Sequence, residues 1–378
     1  MTVYLDNAAT SWPKPEAVYR AVDRFMREVG ATPGRGGHRR EEEALRMADQ
    51  TRDALARLFN APDPQGVAFA MNATQAINMA LKGLLRPGDH VVTSSIEHNA
   101  VWRPLKVLEQ EGVRITAVAC APDGRLNPDD VQAALRPETR LVAMIHGSNV
   151  LGTVLPIAEV GQICRNHDIL FLVDAAQTAG AYPIDVEVMG IDLLAFAGHK
   201  GLFGPHGTGG LVVRPGVKLA TWVEGGSGVE SASETMPEAL PGRLEAGTHN
   251  ATGIAGLGEG VRFLLDEGVE RIRARELELT GLLIQELQAI EGLMILGPRE
   301  LTQRTAVVSA TVEGYVPEQL AMVLDQVFDV AVRPGLHCAP QAHRTALTLD
   351  RGALRFSPGY FTTAEDVEYA VESLQDIV

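Results

Sequence analysis

From about residue 65 onward, short apolar runs alternate with stretches whose apolar residues recur every three or four positions. The short runs predict strands at 66–71, 90–93, 114–120, 141–145, 169–173, 193–196 and 210–213. The longer period predicts helices at 74–84, 100–110, 128–135 and 157–166 between several of them. Strand, helix, strand at a spacing of roughly 25 residues is the pattern of a mostly parallel sheet with right-handed crossovers. Continuous apolar strands such as Ile169-Leu-Phe-Leu-Val173 suit a sheet covered on both faces. The segment 225–241, rich in Gly, Ser, Glu and Pro, breaks the rhythm as a long surface excursion, and such segments usually have a function. Beyond it, long helices are expected at 253–265 and 269–290, then a strand at 306–311, a helix at 317–327 and a strand at 354–357. These would form a smaller C-terminal α/β unit. No internal repeat or low-complexity tract is present.

Charge narrows the function. Against 33 basic side chains the 378-residue chain carries 48 acidic ones, a net charge of −15. Nucleic-acid binding depends on clustered Lys and Arg that displace counterions, so that class is excluded. No apolar run approaches the ~18 residues of a membrane span, and residues 1–15 lack the basic-then-apolar pattern of a secretory signal. Three scattered cysteines, Cys120, Cys164 and Cys338, make no disulfide framework and fit a reducing compartment. A cytoplasmic α/β enzyme or binding protein is expected.

In such a sheet the ligands bind at the carboxyl ends of the strands. No G-x-G-x-x-G and no G-x-x-x-x-G-K-[ST] occurs, which argues against a dinucleotide or P-loop enzyme. Lys200 follows the apolar strand in Phe196-Ala-Gly-His-Lys200. It is either a solvated loop lysine or one desolvated at a strand end, with an amine nucleophilic enough for a Schiff base. Asp174 lies 26 residues upstream on what should be a neighbouring strand. Together they suit pyridoxal phosphate, whose aldehyde takes a lysine and whose ring nitrogen takes a buried carboxylate. Ala73 and Thr74 open a helix directly after a strand and offer donors to a phosphate, and His199 offers another. His98 is either a hydrogen-bonded structural histidine or one that stacks on a pyridine face, and Asn149 and Gln177 have the polarity to bond a phenolic oxygen.

These residues carry a resemblance. Tyr4-Leu-Asp-Asn-Ala-Ala-Thr10, Arg35-Gly-Gly-His38, Ser148-Asn-Val-Leu-Gly-Thr153, Val173-Asp-Ala-Ala-Gln177, Gly198-His-Lys200 and Glu245-Ala-Gly-Thr248 resemble class V pyridoxal-phosphate enzymes. Arg333-Pro-Gly-Leu-His-Cys338 is similar to the cysteine turn of the Suf-type, or group II, cysteine desulfurases and of selenocysteine lyases. The resemblance implies a fold-type-I enzyme with a large cofactor-binding domain at 15–262 and a small domain formed by 1–14 and 263–378. It implies that Lys200 binds the cofactor covalently, Asp174 pairs with the ring nitrogen, Gln177 and Asn149 bond the phenolic oxygen, and His98 stacks on the ring and relays protons. Thr74 and His199 would hold the phosphate beside Ala73, with Thr248 reaching in from the second subunit of a homodimer. Arg355 would clamp the substrate carboxylate near Asn149, with Arg333 the other candidate, and Cys338 would be the nucleophile. The implied substrate is L-cysteine or L-selenocysteine, and the implied sulfur acceptor is a protein.

Three positions depart from the pattern: Ala197 replaces the usual Ser before Gly-His-Lys, Ala73 replaces a Thr, and Leu336 replaces a His. The first two remove hydroxyl donors from the phosphate cup. Cys120 and Cys164 are expected to be buried structural thiols. Arg333 and His343 flank Cys338, and positive charge there would favour its thiolate. A zinc site at His337, Cys338 and His343 lacks a second cysteine pair, so no metal is expected. Competing readings are a selenocysteine lyase, a class V aminotransferase or C–S lyase in which Cys338 is incidental, and a cofactor-binding regulatory module.

Overall fold

A computed structural model describes residues 2–34 and 37–378. Met1, and Arg35 and Gly36 of the Arg35-Gly-Gly-His38 motif, lie outside the described residues. The first eight strands are β1 (Val3–Tyr4), β2 (Val67–Ala70), β3 (His90–Ser94), β4 (Arg114–Val118), β5 (Thr139–Ile145), β6 (Leu170–Asp174), β7 (Leu193–Ala197) and β8 (Gly209–Val213). All but β1 form one sheet in the order β2-β8-β7-β6-β5-β3-β4. The neighbours from β7 to β4 run parallel, whereas β8 runs antiparallel to both β7 and β2.

The interleaved helices are α1 (Glu16–Arg24), α2 (Arg39–Leu58), α3 (Ala73–Leu84), α4 (Asn99–Gln110), α5 (Pro128–Ala134), α6 (Ile157–Asn166), α7 (Ala251–Glu267) and α8 (Val269–Leu287). They cover both sheet faces, and strand residues divide between two cores by the twofold alternation of side chains. Val142, Met144, Phe171, Val173, Leu194 and Phe196 pack with Leu55, Val160 and Leu257. Leu141, Ala143, Leu172, Leu193 and Ala195 pack instead with Ile77, Leu81 and Leu105.

The pattern from residue 65 predicted the strands and helices of this sheet to within a few residues, but not α1 or α2 before it. The face that α2 buries is made mainly of Ala44, Ala48, Thr51, Ala54 and Leu55, small residues set among many charged ones, so no apolar run marks the helix. It packs on α7 at close range because α7 is glycine-rich there. A Cβ at Gly258 would meet Thr51 Oγ1 at 2.5 Å.

After α8 come β9 (Leu293–Ile295), β10 (Val308–Val312), α9 (Pro317–Phe328), β11 (Val330–Ala331), β12 (Arg333–Gly335), α10 (Pro340–Thr345), β13 (Ala353–Phe356) and α11 (Ala364–Gln375). The strands β12-β13-β10-β9 form an antiparallel sheet, whereas β1 pairs in parallel with β11. Leu279, Leu283, Leu324, Val367 and Leu374 close a third core over Leu354 and Phe356. Strand β1 thus packs with the last hundred or so residues rather than with its sequence neighbours. Residues 214–250, which contain the predicted excursion, hold no helix or strand.

Candidate active site

Four parallel strands end side by side, and their last residues lead into loops that meet the start of α3. A cavity of about 80 Å³ lies there, lined by Ala73, Thr74, His98, Asn149, Asp174, Gln177, His199 and Lys200. A larger groove of about 590 Å³ between α1, α2 and α7 is lined by arginine, glutamate and aliphatic side chains, away from any strand end. The smaller cavity is the one with convergent titratable groups.

Asp174 ends β6 and is 2 % exposed. Its Oδ1 accepts from the Ala176 amide at 2.9 Å. Burial raises its pKa, opposed by that amide and by the charge of Lys200. Lys200 lies just past β7, whose neighbour is β6. Burial lowers its ammonium to about 8, which Asp174 opposes and the charges of Arg355 and Arg333 reinforce. Gly198 two residues earlier admits no side chain, since a Cβ there would collide with Thr208 Oγ1. The His199 carbonyl accepts from Ser11 N at 3.1 Å, Thr10 Oγ1 at 3.0 Å, Ser11 Oγ at 3.3 Å and Lys14 Nζ at 3.3 Å. The peptide leading into Lys200 is therefore pinned by the N-terminal segment.

His98 caps α4: its Nδ1 accepts from Ala100 N at 3.0 Å, which leaves Nε2 as the protonated nitrogen. Burial, then Lys200 and nearby arginines, lowers its pKa to about 4, so it is neutral at ordinary pH. At α3 the cap is Asn72, whose Oδ1 accepts from Gln75 N at 2.9 Å. The N–H groups of Ala73 and Thr74 lie in the first turn, where helices have no internal acceptors, and they face a helix-dipole position that favours an anion. His199 stacks on His206, and burial lowers its pKa to about 4. It therefore offers a neutral ring to a phosphate.

Asn149 Nδ2 donates to His337 O at 2.7 Å, and Gln177 Nε2 donates to Ala8 O at 2.9 Å. Each amide keeps one N–H for a ligand. Arg355 is 2 % exposed and lies beside this cavity rather than on its wall. Its Nη2 bonds Asp6 Oδ1 at 2.6 Å and its Nη1 donates to Asn149 O at 3.1 Å. Arg333 lies directly across the strand pair from it. Thr248 is exposed and lines a separate cavity with Phe69, Met71 and Thr208, apart from the residues around Lys200.

The expected turn at Arg333–Cys338 begins instead as strand β12. His337 and Cys338 then take φ of 51° and 57°, a conformation costly for such residues unless it is held. Asn99 N donates to Cys338 O at 2.9 Å and Asn149 Nδ2 holds His337 O, so the neighbours of His98 and the strand-end Asn149 fix the turn. Cys338 is exposed, Cys164 is buried and Cys120 is half-buried. Burial raises the thiols of Cys120 to about 11 and Cys164 to about 12. The expectation that His343 lends positive charge to Cys338 is corrected. Its ring is fully buried, bonded to Thr348 Oγ1 at 2.8 Å and stacked on His337, and burial lowers its pKa to about 4.

Glu97, next to His98, has no signal in the sequence that sets it apart from a surface acid. Fully buried, it accepts from Ser94 Oγ at 2.5 Å and from Ile145 N, and burial raises its carboxyl to about 8. What marks it is burial between the ends of two strands, which only the fold creates. Asp6 lies inside the Tyr4–Thr10 motif, which gives no sign of its ion pair with Arg355.

The aminotransferase class-V family model matches residues 3–370. The chain belongs to the class-V aminotransferase family. Among curated class-V relatives, a probable cysteine desulfurase of Methanothermobacter thermautotrophicus is 35% identical over 382 residues, covering 99% of this chain and 94% of that protein. A protein of Dictyoglomus turgidum named cysteine desulfurase IscS is 33% identical and covers 100% of this chain and 94% of its own. The apo structure of a cysteine desulfurase from Thermococcus onnurineus superposes with a TM-score of 0.94 at 31% identity, covering 100% of this chain and 94% of that one. The fold is that of these class-V enzymes.

Class-V enzymes bind pyridoxal phosphate, and the cavity residues fit that group. Among the described residues, Asn149 Oδ1 and His199 Nδ1 are buried polar atoms without a hydrogen-bond partner. Such atoms are costly unless a ligand meets them. A buried carboxylate at one end and free helix amides at the other match a cationic ring nitrogen and a phosphate.

Proposed function

We propose that the protein is a pyridoxal-phosphate-dependent cysteine desulfurase that releases L-alanine and leaves the sulfur on Cys338 as a persulfide. The observation that carries this is the placement of Cys338, exposed at a turn whose carbonyls are held by Asn99 and Asn149, next to the cavity of Lys200 and His98. The curated relatives at 33% and 35% identity, named cysteine desulfurases, support the same activity.

Lys200 would hold the cofactor, Asp174 its ring nitrogen, Asn149 and Gln177 its phenolic oxygen, and Thr74, the Ala73 amide and His199 its phosphate. Thr248 of a second subunit would complete that cup in a homodimer. The bound cofactor supplies an electron-accepting ring that stabilises negative charge at the substrate's Cα. Lys200, lowered to about 8, is a free amine in a useful fraction of molecules near neutral pH and takes the Cα proton. Arg355 grips the substrate carboxylate and so fixes the direction of the side chain. Cys338, as thiolate, attacks the substrate sulfur. The S–S bond forms as the Cβ–S bond breaks, and the electron pair of the broken bond remains with the three-carbon fragment. His98 Nε2–H or the Lys200 ammonium then returns the protons that make that fragment alanine.

The division into a large domain at 15–262 and a small domain from 1–14 and 263–378 is supported by the pairing of β1 with β11. No helix among the described residues is long and apolar enough to cross a membrane. We place the protein in the cytoplasm, passing its sulfur to an acceptor protein. The testing experiment measures alanine from the purified, cofactor-loaded protein given L-cysteine or L-selenocysteine. Alanine from L-cysteine is expected. Alanine from L-selenocysteine alone would identify a selenocysteine lyase instead.

A further inference from the structure

Glu97 is fully buried beside the cavity without lining it, and no step of the proposed reaction uses it. Its place follows from how β3 leaves the sheet. β3 and β5 pair in parallel as far as Thr93 and Ala143. The chain then turns toward β4, where Ser95 N donates to Val118 O at 2.9 Å. On the other side of β5, His146 N donates to Asp174 O at 2.9 Å. Ile145 N, facing the side that β3 has left, needs an acceptor from elsewhere. The Glu97 carboxyl supplies it. Ile145 N lies 3.1 Å from its Oε1 and 3.0 Å from its Oε2, and the carboxyl shares a 2.5 Å hydrogen bond with Ser94 Oγ. A side chain thus continues the ladder where the backbone turns away. The next two residues reach the site from that anchor. His98 lines the cavity and caps α4 through Ala100 N at 3.0 Å, and Asn99 N donates to Cys338 O at 2.9 Å. Ile145 itself lies beside Asp174 in the sheet register. Burial raises the Glu97 carboxyl to about 8, opposed by its bonds to Ser94 and Ile145 and reinforced by Asp174. Near neutral pH it therefore adds no second charge next to Asp174.

We propose that Glu97 is a positioning residue: by bonding the end of β5 it fixes the Glu97-His98-Asn99 segment, and with it both the ring that covers the cofactor and the amide that holds the Cys338 turn. One buried carboxyl thus sets two distances that the reaction needs together. Glu97 touches neither cofactor nor substrate and acts through His98 and Asn99. This rests on the reading of His98 as the stacking residue and Cys338 as the nucleophile.

The test reads two quantities besides activity. Amide hydrogen exchange of the cofactor-free protein reports the bond from Asn99 N to Cys338 O. Circular dichroism in the absorption band of the bound cofactor reports the setting of its ring under His98. Glu97→Met keeps the length of the side chain and removes both acceptors. The Asn99 amide should then exchange about tenfold faster relative to the amides of β8, the factor for losing one buried hydrogen bond. The cofactor band should change in amplitude. Glu97→Gln keeps an acceptor for Ile145 N and a donor for Ser94 Oγ, so both readouts should stay close to the parent's. Were Glu97 only a contributor to stability, Glu97→Met would lower the melting temperature and leave the Asn99 to β8 ratio and the cofactor band unchanged. That result overturns the proposal, as does an equal loss in Glu97→Gln and Glu97→Met. If Glu97→Met does not fold, Glu97→Asp takes its place. One methylene shorter, it cannot span from Ser94 to Ile145, and an unchanged Asn99 ratio there also overturns the proposal. The exchange readout needs neither cofactor nor sulfur, so failure of the desulfurase reading appears separately, as absence of alanine from L-cysteine.

Discussion

Replacing Arg52 with Met should destabilise the protein by about 3 kcal/mol, because Glu245 would be left as a buried, unpaired carboxylate. Arg52 on α2 forms two bonds of 2.7 Å to the two oxygens of Glu245 and lies 4.1 Å from the centre of the Phe69 ring. Glu245 also accepts from Phe69 N at 2.6 Å and meets His249 Nε2 at 3.1 Å. The cluster ties α2 to β2, the strand that leads into Asn72 and the start of α3, and to the segment carrying Thr248. Burial alone would raise the Glu245 carboxyl, but the His249 bond and the charge and bonds of Arg52 outweigh it and hold it at about 2, against 4.5 ordinarily. At about 1.4 kcal/mol per pH unit, that difference corresponds to about 3 kcal/mol. A depressed carboxyl contributes stability that is complete above about 4.5 and is lost as pH falls toward about 2. Without Arg52 burial dominates, so the variant's carboxyl rises and protonation relieves it. The gap between parent and Arg52→Met should therefore be widest near neutral pH and narrow progressively in acid. Urea unfolding of the cofactor-free proteins, followed by circular dichroism across this range, measures it. Combining Arg52→Met with Glu245→Met should recover most of the loss, since an apolar pair of similar size replaces a buried ion pair at little cost. A single-variant gap below about 1 kcal/mol, the scale of an exposed pair, or one independent of pH, would refute the reasoning.

The cofactor assignment predicts that borohydride reduction of the loaded protein fixes the cofactor to Lys200 by peptide mapping, and that Lys200→Ala yields no adduct. An adduct on another lysine would count against it. Arg355→Ala should weaken binding of L-alanine by about 3 kcal/mol, with Arg355→Lys recovering only part because an ammonium cannot reproduce the planar fork. Calorimetry reads both, and unchanged binding would move the carboxylate grip to Arg333.

Strand positions were legible because this sheet is covered on both faces and its strands are continuous apolar runs, as in Leu-Leu-Ala-Phe-Ala at β7. The strand-end residues Asp174 and Lys200 followed from those positions. Hidden from the sequence were the features made by long-range contact. Helix α2 carries its packing on alanines that fit a glycine-rich partner, so few large apolar residues mark it among its many charges. Asp6 and Arg355 are separated by nearly the whole chain and meet because Asp6 bridges Ser357, just past the end of β13. Proximity in sequence misled at His343, whose ring turns into the core beside Thr348 rather than toward Cys338. His98 revealed its place after β3 but not that one of its nitrogens is used to cap α4, which decides its tautomer.

The central claim is that Cys338 receives the sulfur. Its most direct test is mass spectrometry of the peptide containing Cys338 after the cofactor-loaded protein is given L-cysteine without an acceptor. One added sulfur atom on Cys338, removable by a thiol reductant, is predicted. Cys338→Ser should bind L-cysteine yet turn it over at least ~100-fold more slowly, a barrier increase of about 2.7 kcal/mol. Full alanine production by Cys338→Ser, with no sulfur on the parent's Cys338, would contradict the account.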